Sequence, residues 1–142
     1  MSFNTLRAYF ETRMAVTDPD LHEWEDAFGV DNIPSGILDH SWHIEFGPFN
    51  YVGTAHTCLE FNCPVSLRVY LKGYRYPKEA IDSGMILADA IVKECCKPLN
   101  RLNQPYIKNV LPNTIDVRAL GQTNDNAVVL SLSFDCNVLV ES

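Results

Sequence analysis

The stretch TCLEFNCPVSLRVYL, Thr57 to Leu71, alternates almost without error between two kinds of side chain. Leu59, Phe61, Cys63, Val65, Leu67, Val69 and Leu71 fall on one parity; Cys58, Glu60, Asn62, Ser66, Arg68 and Tyr70 fall on the other. Successive side chains of a strand point to opposite faces, so this reads as one strand with an apolar face and a wetter one. At about 3.3 Å per residue it runs roughly 50 Å. A compact chain of this size has a radius of gyration of only about 14–15 Å. Such a strand has to bend sharply, carry a bulge, or reach beyond its own domain toward a neighbour. The last option makes assembly, not chemistry, the expected function. Pro64 lies inside the run and cannot donate to a ladder, so the strand is expected to be at an edge or bulged there.

Upstream, Ser41 to Gly47 alternates Trp42, Ile44 and Phe46 against His43 and Glu45, and Gly47-Pro48 ends it. These two strands pair as an antiparallel hairpin with a long, mobile tip around Gly47 to His56. Downstream, Pro77 to Lys97 predicts a helix with Ile81, Met85, Ala88, Ile91, Val92 and Cys95 on one face. Lys78, Glu79, Asp82, Asp89 and Lys93 solvate the other face, and Pro98 closes the helix. At the N-terminus, Phe3, Leu6, Phe10 and Met14 predict a helix from about Asn4 to Val16. Asp18 caps a short second helix with Pro19 in its first turn, continued by Leu21, Trp24 and Phe28. Gly29 to Asp39 and Asn100 to Pro112 read as loops. Thr114 to Leu120 and Ala127 to Val140 alternate as a second hairpin with its tip at Gly121 to Asn126. The expected fold is a single α+β domain over residues 1–142, of order α-β-β-α-β-β. It has an antiparallel four-stranded sheet of two hairpins, with both helices packed on one face.

Composition narrows the function. With 142 residues, 46% hydrophobic and 20% charged, the chain suits one folded domain and not a disordered one. A net charge of -7 argues against coating nucleic acid, which takes a basic face. Arg7, Glu11 and Arg13 interrupt the first sixteen residues, so no signal peptide is expected, and no run has transmembrane length. The five cysteines show no framework spacing, and reduced thiols in a cytoplasm are expected.

No constellation suited to catalysis stands out. His43 and Glu45 share a strand face, but His40 lies on the opposite parity, so a solvated face is expected in place of a metal site. Cys58 and Cys63 are five apart on a strand and cannot ligate jointly, while Cys63 and Cys136 read as small core residues. Cys95 and Cys96 sit at a helix C-terminus, where the dipole disfavours a thiolate. Asp18, Asp20, Glu23, Glu25 and Asp26 read as a solvated acidic face. Tyr74 and Tyr76 beside Lys72 and Arg75 read as a strand-to-helix turn. Neither an enzyme nor a cofactor or metal is expected.

The order of elements resembles the tail terminator (tail completion) proteins of long-tailed bacteriophages. The matching stretches are Asn4–Val16, Ser41–Gly73 with CLEFNCPVSLRVYLKGY, Pro77–Lys97 with KEAIDSGMILADAIVKECC, and Ile115–Val140. The resemblance implies a virion protein made in the host cytoplasm, a homohexameric ring that caps the tail tube at its head-proximal end. Its partners would be other copies of itself, the tail tube protein and the head connector or stopper. DNA would pass through the lumen without sequence-specific binding, and no membrane is involved. Candidate subunit and partner contacts in that reading are Glu60, Asn62, Arg68, Phe49, Asn50, Tyr51, Asn124 and Asp125. Another head–tail connector, a tube subunit and a small dimeric ligand-binding module are the alternatives.

Overall fold

The computed structural model describes residues 3–23, 39–55, 57–102, 104–122 and 125–141. The chain runs α1 (Asn4–Thr17), β1 (His22–Glu23), β2 (Ser41–Phe46), β3 (Asn50–Ala55), β4 (Cys58–Tyr74) and α2 (Pro77–Cys96). A 3-10 turn (Pro98–Arg101), β5 (Ile107–Gln122) and β6 (Asp125–Glu141) complete it. The strands make one six-stranded sheet in the order β1-β2-β4-β6-β5, with β3 beside β2 along the same side of β4. Among the described residues β1–β2 is parallel and the other pairings are antiparallel.

This mixed sheet corrects the expected antiparallel four-stranded sheet of order α-β-β-α-β-β, and three local causes account for the difference. First, residues 50–55 are not a mobile tip. They form β3, which pairs with β4 from Asn50↔Asn62 to Ala55↔Cys58. Second, Asp18 ends α1 instead of starting a helix. Its N–H donates to Met14 O at 3.1 Å and its Oδ1 accepts from the Asp20 N–H at 3.0 Å. The chain then runs into β1, whose His22 N–H donates to His40 O at 2.7 Å. Trp24, Phe28 and the expected loop from 29 to 38 lie outside the described residues. Third, β5 starts at Ile107, well before the expected Thr114, because a bulge between Pro112 and Thr114 absorbs the proline without ending the strand.

The long strand does form, but it does not reach toward a neighbour. β4 is the most internal strand of the sheet. On one side it pairs with β6 from Cys58↔Glu141 to Tyr74↔Asn126, and on the other with β2 and β3 end to end. Its length is matched by strands of 16 and 17 residues, β5 and β6, not spent on an unpaired overhang. Pro64 is therefore not at an edge. It stands opposite the break between β2 and β3, where its carbonyl accepts from the Gly47 N–H at 2.8 Å. A Cβ on Gly47 would come within 3.0 Å of the Pro64 ring, so glycine fits this crossing. Gly73, at φ +93, takes the left-handed conformation as β4 ends in a register shift between Leu71 and Tyr74.

The apolar parity packs as the alternation predicts. Cys63, Val65, Leu67 and Val69 of β4 and Val128, Leu130, Phe134, Cys136 and Val138 of β6 are fully buried. Leu6, Phe10 and Met14 of α1 and Ala80, Ala88, Ile91 and Cys95 of α2 cover them. The buried stripe of α2 differs from expectation: Met85 is 55% exposed, while Ala80, Gly84 and Ala88 face the sheet. Small residues let the helix axis come close, and a Cβ on Gly84 would lie 2.9 Å from Val128 and 3.0 Å from Leu130. The last turn of α2 is tied to its neighbours. Tyr9 Oη donates to Cys95 O at 2.5 Å, Asn100 Nδ2 donates to Glu94 O at 2.7 Å, and Arg13 meets Glu94 at 2.9 Å. The first two contacts satisfy carbonyls that a helix end leaves open.

Leu67→Ala should cost about 2–5 kcal/mol, read by urea denaturation, because the side chain is fully enclosed. Gly84→Ala should fail to give the stabilisation of about 1 kcal/mol that this exchange brings at an open helical site. A clear rise in Tm for that variant would contradict the close approach of α2 to the sheet.

Candidate functional site

On the face of the sheet away from the helices, β2 and β4 bring Ser41, His43 and Glu45 beside Tyr70, Arg68 and Ser66. The expected solvated strand face is not what forms here, since His43 is only 5% exposed and Ser41 1%. The His43 ring stacks on Tyr70 with centroids 5.9 Å apart, and its Nε2 lies 3.4 Å from Glu45 Oε1. Neither ring nitrogen has a hydrogen-bond partner among the described residues. Burial lowers the His43 pKa from its ordinary value; Glu45 works against that and Arg68 adds to it. Burial also raises the Tyr70 hydroxyl. His40 stands apart and pairs with Asp39 at 2.9 Å. The three residues do not converge, and among the described residues no group of His, Cys, Asp and Glu is arranged to hold a metal.

The thiols are brought closer than the linear spacing implies. Cys63 and Cys136 are directly paired across β4 and β6, and Cys95 lies buried in the same core. Burial pushes Cys63 up to about 11 and raises Cys95 and Cys136 further. Thiols held protonated in this way are packing residues, not nucleophiles.

The expected contact residues fall into three groups. Glu60 and Asn62 are engaged inside the subunit: Lys108 Nζ reaches Glu60 Oε1 at 2.7 Å, and Asn137 links Glu60 at 3.3 Å to Asn62 at 3.0 Å. Arg68 stands directly across from His43. Phe49 packs on Phe3 at 4.1 Å and stacks with Phe46, so it anchors α1 to the sheet. Asn50 and Tyr51 lie on β3, which among the described residues pairs with β4 alone. Tyr51 is 58% exposed and its hydroxyl bonds Thr54 Oγ1 at 2.8 Å. Asn124 and the Asp125 side chain lie outside the described residues, although the Asp125 backbone pairs with Gln122.

The surface that sequence reasoning missed is the other edge. Among the described residues β5 pairs with β6 alone, so there its outer side ends the sheet. Beside it, Met85, Ala88, Asp89 and Val92 of α2 and Ile115 and Val117 of β5 line an open groove of about 460 Å³. Of these, Met85 and Ile115 are exposed. The signal was present in the small stripe Ala80-Gly84-Ala88, which rotates α2 and leaves Met85 outside the core. An open edge flanked by apolar side chains can receive an extended strand, with backbone bonds supplying affinity and side-chain pockets supplying selectivity.

No family model and no curated protein matches this chain by sequence comparison.

His43 gives a pH prediction. Its folded pKa lies below the unfolded value of 6.5, so the unfolded chain binds a proton first. The stability that depends on neutral His43 is complete above about pH 6.5 and is lost as pH falls toward the folded pKa. Denaturation at pH 7.5 and 5.5 should therefore show a smaller loss for His43→Gln than for the parent chain. Equal losses in both would mean that the imidazole is not held neutral by its burial.

Proposed function

We propose that the chain is a structural subunit of a long-tailed bacteriophage virion, a tail terminator that closes the tail tube as a homohexameric ring. In this reading the ring sits at the head-proximal end, between the tail tube protein and the head connector or stopper, and DNA passes through its lumen. The resemblance of the stretches Asn4–Val16, Ser41–Gly73, Pro77–Lys97 and Ile115–Val140 supplies the identity of the assembly. The observation that carries the assembly itself is that, among the described residues, the sheet stops in unlike strands at its two sides. One side ends in β5 with Met85, Leu111 and Ile115 exposed nearby, and the other presents β3 with Tyr51 and Val52 exposed. A ring joins two different surfaces of each subunit, and its closure leaves no free end from which a fibre could grow. A sheet with unlike open edges meets that requirement. The net charge of -7 suits a conduit that must release DNA.

Of the expected contacts, Asn50 and Tyr51 remain at such an edge, and β5 joins them as the opposite surface. Negative-stain microscopy of the concentrated protein, alone and mixed with tail tubes, should show closed six-fold rings or capped tube ends. Val52→Asp should reduce ring yield at least about tenfold with little change in Tm, because an exposed site contributes little to folding. Species no larger than a dimer under all these conditions, or open filaments, would reject the ring.

A further inference from the structure

The second half of β5 has a property that neither its openness nor the ring requires. Register shifts at Ile107/Asn109 and Pro112/Thr114 disturb the first half of the strand. From Thr114 to Gln122 the pairing with β6 is unbroken, so the outward backbone groups repeat at regular intervals. Ile115 and Val117 pair with Leu132 and Leu130 and lie on the helix face, lining the groove against α2. Asp116 and Arg118 lie on the opposite face, where they meet along the strand at 3.1 Å with side chains 47% and 74% exposed. So exposed a pair contributes little to the isolated subunit.

These two charges flank Val117 symmetrically and are opposite in sign. An antiparallel copy of the same strand centred on Val117 places each Asp116 directly across from Arg118 of the second copy. Val117 then meets Val117, and Ile115 meets Ala119. A two-fold axis normal to the sheet produces this register and keeps both α2 helices on one face. There Met85, 55% exposed, approaches its counterpart across the seam and, with Ile115, covers the groove. Shifting the register by two residues loses the reciprocal charge match. Opposite charges directly across an antiparallel pair stabilise it, and like charges there destabilise it.

We propose that the free protein forms a two-fold dimer in which β5 pairs antiparallel with β5 of a second copy about Val117. Reciprocal Asp116–Arg118 contacts set the register, and Met85 and Ile115 close the helix face. This dimer does not rest on the ring reading. Both assemblies draw on β5, so the dimer occupies that edge in free subunits and has to open before a ring can close.

Mass photometry and sedimentation at low protein concentration test the proposal, with circular dichroism confirming the fold of each variant. The parent chain should dimerise. Arg118→Asp, which sets like charges across the seam, should weaken the dimer about tenfold or more. The double exchange Asp116→Arg with Arg118→Asp restores the palindrome and should return dissociation to within about threefold of the parent. Val117→Cys should yield a disulfide-linked dimer under a mild thiol oxidant, while the parent chain, with its own five cysteines, should not. A parent chain that stays monomeric at all concentrations, an unaffected Arg118→Asp dimer, or a double variant without rescue each overturns the seam. Free subunits in which Val117→Cys fails to cross-link, from a chain that still closes rings on tail tubes, would overturn the seam and leave the ring standing. A rescued dimer that never forms rings on tail tubes would do the reverse.

Discussion

The rest of the molecule depends on the ladder between β4 and β6. These two 17-residue strands pair from Cys58↔Glu141 to Tyr74↔Asn126 and place their apolar parities on a common face. Backbone polar groups that leave water must find partners, and strands of equal length meet that demand inside one chain. The demand is then passed outward. β6 is completed by β5, and β4 by β2 and β3, so it is the outer strands that end with groups unmet.

The helices are placed by the same face. Phe134 and Val128 to Val138 present a continuous buried surface, and α2 approaches it on Ala80, Gly84 and Ala88. Tyr9, Arg13 and Asn100 then hold the C-terminal turn of α2 to α1 and to the following segment. Close approach on one side leaves the bulkier Met85 outside the core, next to the outer edge of β5. Core packing and the candidate assembly surface are thus two sides of one helix.

For function, the consequence is a change of location. A strand too long for its domain would have made the centre of the chain an interface, and its polar residues Glu60 and Asn62 the contacts. Those residues instead close a network with Lys108 and Asn137 across three strands. The surfaces left for partners are the edges, β5 on one side and β3 with its neighbours on the other. A buried imidazole, its pKa lowered chiefly by that burial, lies between Tyr70 and Glu45 on the β2 side of the sheet.

Alternation and helical spacing in the amino-acid sequence were sufficient for α1, β2, the core of β4, α2 and β6, because a two-residue or 3.6-residue period survives whatever the partner is. They were also sufficient for the burial of Cys63 and Cys136. They did not reveal β3, whose Asn50-Tyr-Val-Gly-Thr-Ala55 run is too short and too mixed to show a period and becomes a strand only beside β4. The start of β5 was hidden because Pro112 breaks a ladder by rule, and only the bulge shows how the strand passes it. The parallel β1 depends on Ser41 and Trp42 lying beside it, which is a fact of tertiary structure. Which strand is central and which is at the edge was likewise decided by pairing order. Side-chain pattern records the face that a residue turns to the core, but it carries no information about what lies beyond the next backbone hydrogen bond.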